Sequence, residues 1–231
     1  MRLRLSILCL GIVLISCLVV FGCVETDDVY REPLWSDIDL LLYQRELSLG
    51  NKALGWDDLA PANETDYWEL RLLSNHFVEI KAGDKCKNAT NRESCIMGFD
   101  AIRTDIGFGG SACHPLLCPH YIVSNQKEDN QLWSTLGRLK EFLGKINSSK
   151  KAVLLASGYG FQVECSISSH PSCYPGGIRE IDGEYELIVA KTISLCHPYQ
   201  SNRYLIRIKP SGELVILREQ INHRNDKTSC S

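Results

Sequence analysis

Residues 203–217 read RYLIRIKPSGELVIL, and this stretch decides the fold class. Tyr204, Ile206 and Ile208 alternate with Arg203, Arg207 and Lys209, a period of two that turns one face of a strand inward and leaves the other wet. Pro210-Ser211-Gly212 follows as a three-residue hairpin connection, because proline presets the first turn angle and glycine accepts the left-handed position. Leu214 to Leu217 is the returning partner. Strands with one dry and one wet face, joined by a tight turn, predict an antiparallel sheet.

Further strands lie upstream. Phe161, Val163, Cys165 and Ile167 alternate with polar residues, Tyr185, Leu187, Val189 and Ile193 repeat the theme, and shorter apolar runs occur at Phe77 to Lys81 and Tyr121 to Ser124. Helical spacing is predicted over 36–50, where Ser36 caps and Gly50 stops, and from Glu64 to Ser74, which presents Tyr67, Leu70 and Leu73 after a cap at Asn63. A second pair of helices is predicted at Ser134 to Leu143 and Ser148 to Ser157, each stopped by glycine. Between Cys86 and Cys118 no period is evident, and the stretch reads as a long loop held by Cys86, Cys95, Cys113 and Cys118. The fold class expected is α+β, an antiparallel sheet packed with several helices and braced by disulfides.

The chain has 231 residues, 44% of them hydrophobic and 23% charged, which excludes collagen-like, low-complexity and globally disordered classes. Arg2 and Arg4 precede an apolar run from Leu5 to Val24, and polar residues begin at Glu25. This is the layout of an export signal. The run ends in Val20-Phe21-Gly22-Cys23, which resembles the lipobox of bacterial lipoproteins, whose signal peptidase cuts before a cysteine that carries the lipid. The resemblance covers residues 1–23 alone. It implies a signal peptide over 1–22, lipidation at Cys23, a tether over 23–35 and a single α+β domain with an N-terminal helical part over 36–231. A second site of the same loose pattern, Leu14-Ile15-Ser16-Cys17, would leave an apolar stub. Cleavage without lipid and an uncleaved anchor are the competing outcomes.

Of 11 cysteines, Cys9 and Cys17 fall in the signal and Cys23 would be acylated, leaving eight. These are Cys86, Cys95, Cys113, Cys118, Cys165, Cys173, Cys196 and Cys230, an even set in a segment expected to enter an oxidising compartment. Short loops favour the pairings Cys86 with Cys95, Cys113 with Cys118, Cys165 with Cys173 and Cys196 with Cys230, of which the last two are interchangeable.

The formal charge of −3 becomes −5 once residues 1–22 are removed, and there is no basic stripe for tracking phosphates, so no nucleic-acid partner is expected. The expected partners are a membrane, reached through the N-terminal lipid, and an envelope protein. Localisation is expected in the cell envelope, membrane-anchored and facing the periplasm or the surface. No phosphate loop, zinc-protease motif or serine elbow occurs, and no catalytic residue, resident metal or cofactor is assigned. Ser148-Ser149-Lys150-Lys151 matches Ser-x-x-Lys, yet Ser148 is explained as a helix cap. His114, His120, His170 and His197 each lie close to a cysteine. They are the candidate bases of an alternative extracytoplasmic hydrolase, or with Cys113 and Cys118 the ligands of a metal site. The leading expectation is a lipid-anchored, disulfide-stabilised envelope protein with a binding or structural role.

Overall fold

The alternation in residues 203–209 buries Tyr204, Ile206 and Ile208 on one face of a strand, and the chain around it builds a sheet of five. The computed structural model describes residues 29–30, 35, 38, 43, 56–110, 118–162, 176–194 and 198–226. In it sheet A consists of β1 (Val29–Tyr30), β6 (Gly177–Ile181), β7 (Glu184–Ser194), β8 (Tyr199–Ile208) and β9 (Leu214–Asn225), ordered β1-β9-β8-β7-β6. Sheet B is formed by β2 (Tyr67–Leu72), β3 (Val78–Gly83), β4 (His120–Gln126) and β5 (Asp129–Trp133), ordered β3-β2-β4-β5. Every pairing is antiparallel. The molecule is therefore mixed α+β as expected, but strands dominate, the sheet is two sheets, and the described residues hold three α-helices: α1 (Arg92–Ala101), α2 (Leu136–Leu143) and α3 (Ser149–Gly158).

The helix pair α2 and α3 bridges the inner faces of the sheets. Phe142 of α2 sets its ring against Trp68 and Trp133 of sheet B, with centroids 5.8 and 5.6 Å away. In α3, Ala152 to Ala156 are buried on every side, the pattern of a helix enclosed by a core rather than laid on a surface. With Leu187, Val189 and Ile206 of sheet A and Leu70, Ile80 and Ile122 of sheet B they form one continuous cluster. Both helices start at hydroxyl caps: Thr135 accepts from Arg138 N and Ser148 from Lys151 N. The first helix begins at Leu136, two residues after the expected start at Ser134.

The structure corrects three expectations. Residues 64–74 are not a helix, since Tyr67–Leu72 is the central strand β2. Trp68 and Leu70 enter the main core while Tyr67 joins a second cluster on the opposite face with Phe99, Tyr121 and Val123, so both faces are covered and the apolar alternation is masked. The long loop from Cys86 contains α1, whose N-cap Asn91 accepts from Ser94 N and whose buried residues Cys95 and Phe99 are four apart. The face of sheet A carrying Arg203, Arg207 and Lys209 is wet only at its far end, since Arg203 is buried while the Arg207 and Lys209 side chains are 37% and 40% exposed. Tyr43 packs there on Ile188 and Leu205, and Trp35 and Ile38 lie against the same cluster.

The helix expected over 36–50 lies outside the described residues apart from Ile38 and Tyr43, and so does the strand expected from Phe161 beyond Gln162. Val29 and Tyr30 pair with Asn225 and Arg224, so sheet pairing begins inside the stretch expected to be a tether.

The hairpin at 210–212 is as expected, with Gly212 at φ 77°. A β-carbon there would meet Leu155 at 3.4 Å, close to ordinary contact. At Gly83, with φ 87°, it would fall 2.1 Å from the Asp66 carbonyl oxygen. Gly212→Ala should accordingly cost about 1 kcal/mol, from backbone strain alone. Gly83→Ala should cost several-fold more, because backbone atoms must also move. Urea unfolding of the two variants checks the order, and equal midpoints would contradict it.

Candidate functional site

Each sheet carries one buried carboxylate on its outer face, and these are the most concentrated polar chemistry among the described residues. In β2 the period of two puts Tyr67, Glu69 and Arg71 together on the face that α1 covers. Glu69 accepts from the Tyr67 hydroxyl at 2.6 Å and from Arg71 Nε at 2.7 Å, and Lys85 Nζ lies 3.2 Å away. Arg71 also donates to the Ile102 carbonyl at the end of α1 and stacks over Phe99 at 5.1 Å. Lys85 reaches Asp100 at 2.8 Å, tying the strand face to the helix.

From this cluster a polar seam runs across the sheet. Arg71 interacts with the hydroxyl of the fully buried Tyr121, which lies directly opposite on β4, and the Tyr121 oxygen is 2.9 Å from His76 Nδ1. At the other end of the face a disulfide joins Cys86 and Cys95, with Cα atoms 6.1 Å apart. Asn125 locks it in place. Its side chain accepts from Cys86 N and donates to the Lys127 carbonyl and Asn130 Oδ1, while Asn130 donates to the Cys95 carbonyl.

On sheet A, Arg179, Glu186 and Arg207 stand directly opposite one another on three neighbouring strands. Arg179 donates through Nε and Nη2 to one oxygen of Glu186, at 2.9 and 2.6 Å, and Arg207 does the same to the other, at 3.2 and 2.6 Å. The Tyr43 hydroxyl closes the group at 3.3 Å, and its ring lies 4.7 Å from Arg179.

The electrostatics of both groups point away from proton transfer. Burial alone would raise the Glu69 carboxyl, but the hydrogen bonds from Tyr67 and Arg71 and the charges of Arg71 and Lys85 outweigh it and hold it below the ordinary value. Burial likewise opposes ionisation of Glu186, and the Arg207 and Arg179 contacts reverse the sign in the same way. Tyr43 is pushed up to about 12, chiefly by burial and also by Glu186. Carboxylates held ionised and tyrosines held protonated neither give nor take protons near neutrality. These are braces.

His120 is the described member of the four candidate histidines. Its Nε2 lies 2.8 Å from Glu79 Oε2, an imidazole oriented by a carboxylate. His114, His170 and His197 fall outside the described residues. Cys118 is disulfide-bonded, so its sulfur is neither a thiolate ligand nor a nucleophile. Cys23, Cys113, Cys165, Cys173, Cys196 and Cys230 lie outside the described residues, and no cluster of three metal-ligating side chains occurs among those that are described. The Ser-x-x-Lys lysine, Lys151, is buried and donates to the Leu143 and Lys145 carbonyls at 2.6 and 3.2 Å, closing the C-terminus of α2. Burial lowers its pKa.

The sequence reading missed Glu69 and Arg71 because residues 64–74 read as a helix, and Glu186 because a charged residue at an alternate strand position reads as solvent-facing. What marks them is the cross-strand match of opposite charges, visible once the strands are paired. Comparison with family models, with curated proteins and with solved structures finds no match to this chain.

Glu69→Gln should destabilise the fold by about 3–5 kcal/mol, because Arg71 is then buried without its counter-charge. Pairing it with Arg71→Met should recover part of the loss. The pH sign follows from the lowered carboxyl. Its stabilisation is complete above the unfolded value near 4.5 and is lost as pH falls through the lower folded value. Stability of the wild type should drop on acidification through that window, and Glu69→Gln should show a shallower drop. Urea midpoints at neutral and acid pH test both.

Proposed function

We propose that the protein is a lipid-anchored, disulfide-stabilised component of the cell envelope, held to a membrane through Cys23, with a binding or structural role. The observation that carries this reading is the Cys86–Cys95 disulfide in a chain whose first 23 residues have the layout of an exported lipoprotein. Disulfides persist in extracytoplasmic compartments, and signal, cysteine oxidation and lipobox-like segment all name the same destination. A binding or structural role is supported by the chemistry of the described polar groups. Glu69 is engaged by Tyr67, Arg71 and Lys85, and Glu186 by Arg179 and Arg207, all within the fold, and the Lys151 ammonium donates to the Leu143 and Lys145 carbonyls at the end of α2. The mildly acidic mature chain favours an envelope protein over a nucleic acid as its partner.

Mass spectrometry of protein purified from membranes tests the proposal. The mature chain should begin at Cys23 and carry acyl groups, and Cys23→Ala should lose that mass and move to the soluble fraction or accumulate as precursor. A chain beginning at Met1, or at Val24 without lipid, overturns it. If the eight remaining cysteines form four disulfides, the native protein should also be about 8 Da lighter than its reduced form and resist alkylation until reduced. Thiols alkylated without reductant, together with stoichiometric zinc or copper, would move the reading to metal handling.

A further inference from the structure

The pairing of β1 with β9 limits how far the fold can stand from a lipid on Cys23. Val29 faces Asn225 and Tyr30 faces Arg224, and Asn225 also faces Tyr199. The N-terminal chain thus joins sheet A at the rim where β9 ends and β8 begins. Val29 is only six positions after Cys23, a reach of at most about 22 Å even when fully extended. β8 has 10 residues, so the opposite rim of the sheet, with the turns at Asp182-Gly183 and Pro210-Gly212, lies about 30 Å further along the strands.

We infer that this fold sits against the lipid surface with the β8-start and β9-end rim of sheet A toward the headgroups and the two hairpin turns directed away. The inference rests on the acylation of Cys23 proposed above. The chemistry of the rim suits such a neighbour. Ile193, 50% exposed, sits where the β7 register shifts, next to the pairing of Ser194 with Gln200. Tyr199, partly exposed, stacks edge-on with His223 at 5.4 Å, and Arg224 lies beside them, bonded to Asp226 at 2.8 Å. Tyrosine and arginine are residue types favoured at the membrane–water boundary, and an exposed isoleucine adds apolar contact. Because the anchor is short, the occupant of the space beneath this rim is the bilayer itself rather than an intervening protein.

Full-length acylated protein in its native membranes, carrying a photo-crosslinking phenylalanine at Tyr199 or at the exposed turn residue Ser211, tests the orientation. Phospholipid adducts are expected at position 199 and none above background at 211. Insertion of about twenty Gly/Ser residues between Glu25 and Thr26, with a typical reach of about 25 Å, should erase the difference without affecting acylation. The N-terminal peptide mass from the same samples separates the two layers of the claim. If the acyl mass is missing, anchoring and orientation fail together. If the chain is acylated but both positions label equally, or position 199 captures protein instead of lipid, the orientation alone is overturned.

Discussion

A carboxylate enclosed in a protein is stable only with its counter-charges in place, and the outer layers of this molecule are organised around that constraint. Glu69 and Glu186 each sit on a sheet face that would be solvated in a simple two-layer fold. Instead α1 covers one face, and Tyr43 with Trp35 and Ile38 packs on the other. Taking such a charge out of water costs several kcal/mol, and only near-ideal geometry offsets it. Glu69 takes donors at both oxygens, and Glu186 receives one arginine on each. The clamps therefore fix strand register. A slip of one residue in β7 would turn Glu186 to the inner face, among Ile178 and Ile206 of the neighbouring strands, and leave Arg179 and Arg207 facing apolar side chains.

How legible this was in the sequence differed by element. The helix pair at 136–158 announced itself through Ser148, the glycine stops and the apolar spacing, and the 203–217 hairpin through its alternation and turn chemistry. Both are cases where local preference and burial agree. β2 was misread because Glu69 and Arg71 are polar by composition but interior by position, and α1 because only Cys95 and Phe99 of its ten residues are buried. The β6–β7 hairpin carried a usable signal that was overlooked. Asp182-Gly183 supplies two consecutive positive φ values, 53° and 78°, as a two-residue hairpin turn requires. The Glu186 clamp was unreadable without it, since β6 delivers Arg179. The seam under α1 was unreadable for a different reason: its members come from Tyr67 to Tyr121, and no local pattern joins them.

The two covering layers are held by different means. α1 is a short helix, marginal on its own at this length, and a second cluster of four buried residues gives it limited apolar support. The Cys86–Cys95 disulfide supplies the remainder by shortening the unfolded chain's range, an effect of about 2–3 kcal/mol for a loop of this size. Asn125 and Asn130 then translate that covalent link into a fixed docking of the helix on β4 and β5. The cover on sheet A has no such staple among the described residues. Tyr43, Ile188 and Leu205 form its small apolar cluster, and the Tyr43 hydroxyl contributes one hydrogen bond to Glu186.

That difference sets an order of local stability. If α1 lifts, Glu69 gains solvent but the disulfide keeps Cys95 beside Cys86, so the opened state is short-range and recloses easily. If the Tyr43 region lifts, nothing covalent limits the excursion, yet Glu186 retains both guanidinium partners, because Arg179 and Arg207 are held by their own strands. Opening there hydrates a charged triad without dissolving it, which lowers the cost of exposure. The sheet beneath remains intact because its register depends on cross-strand partners rather than on the layer above. The chain enters sheet A at β1, so a pull exerted at the N-terminus loads the pairing of Val29 and Tyr30 with Asn225 and Arg224 before it reaches the Tyr43 contact on the outer face.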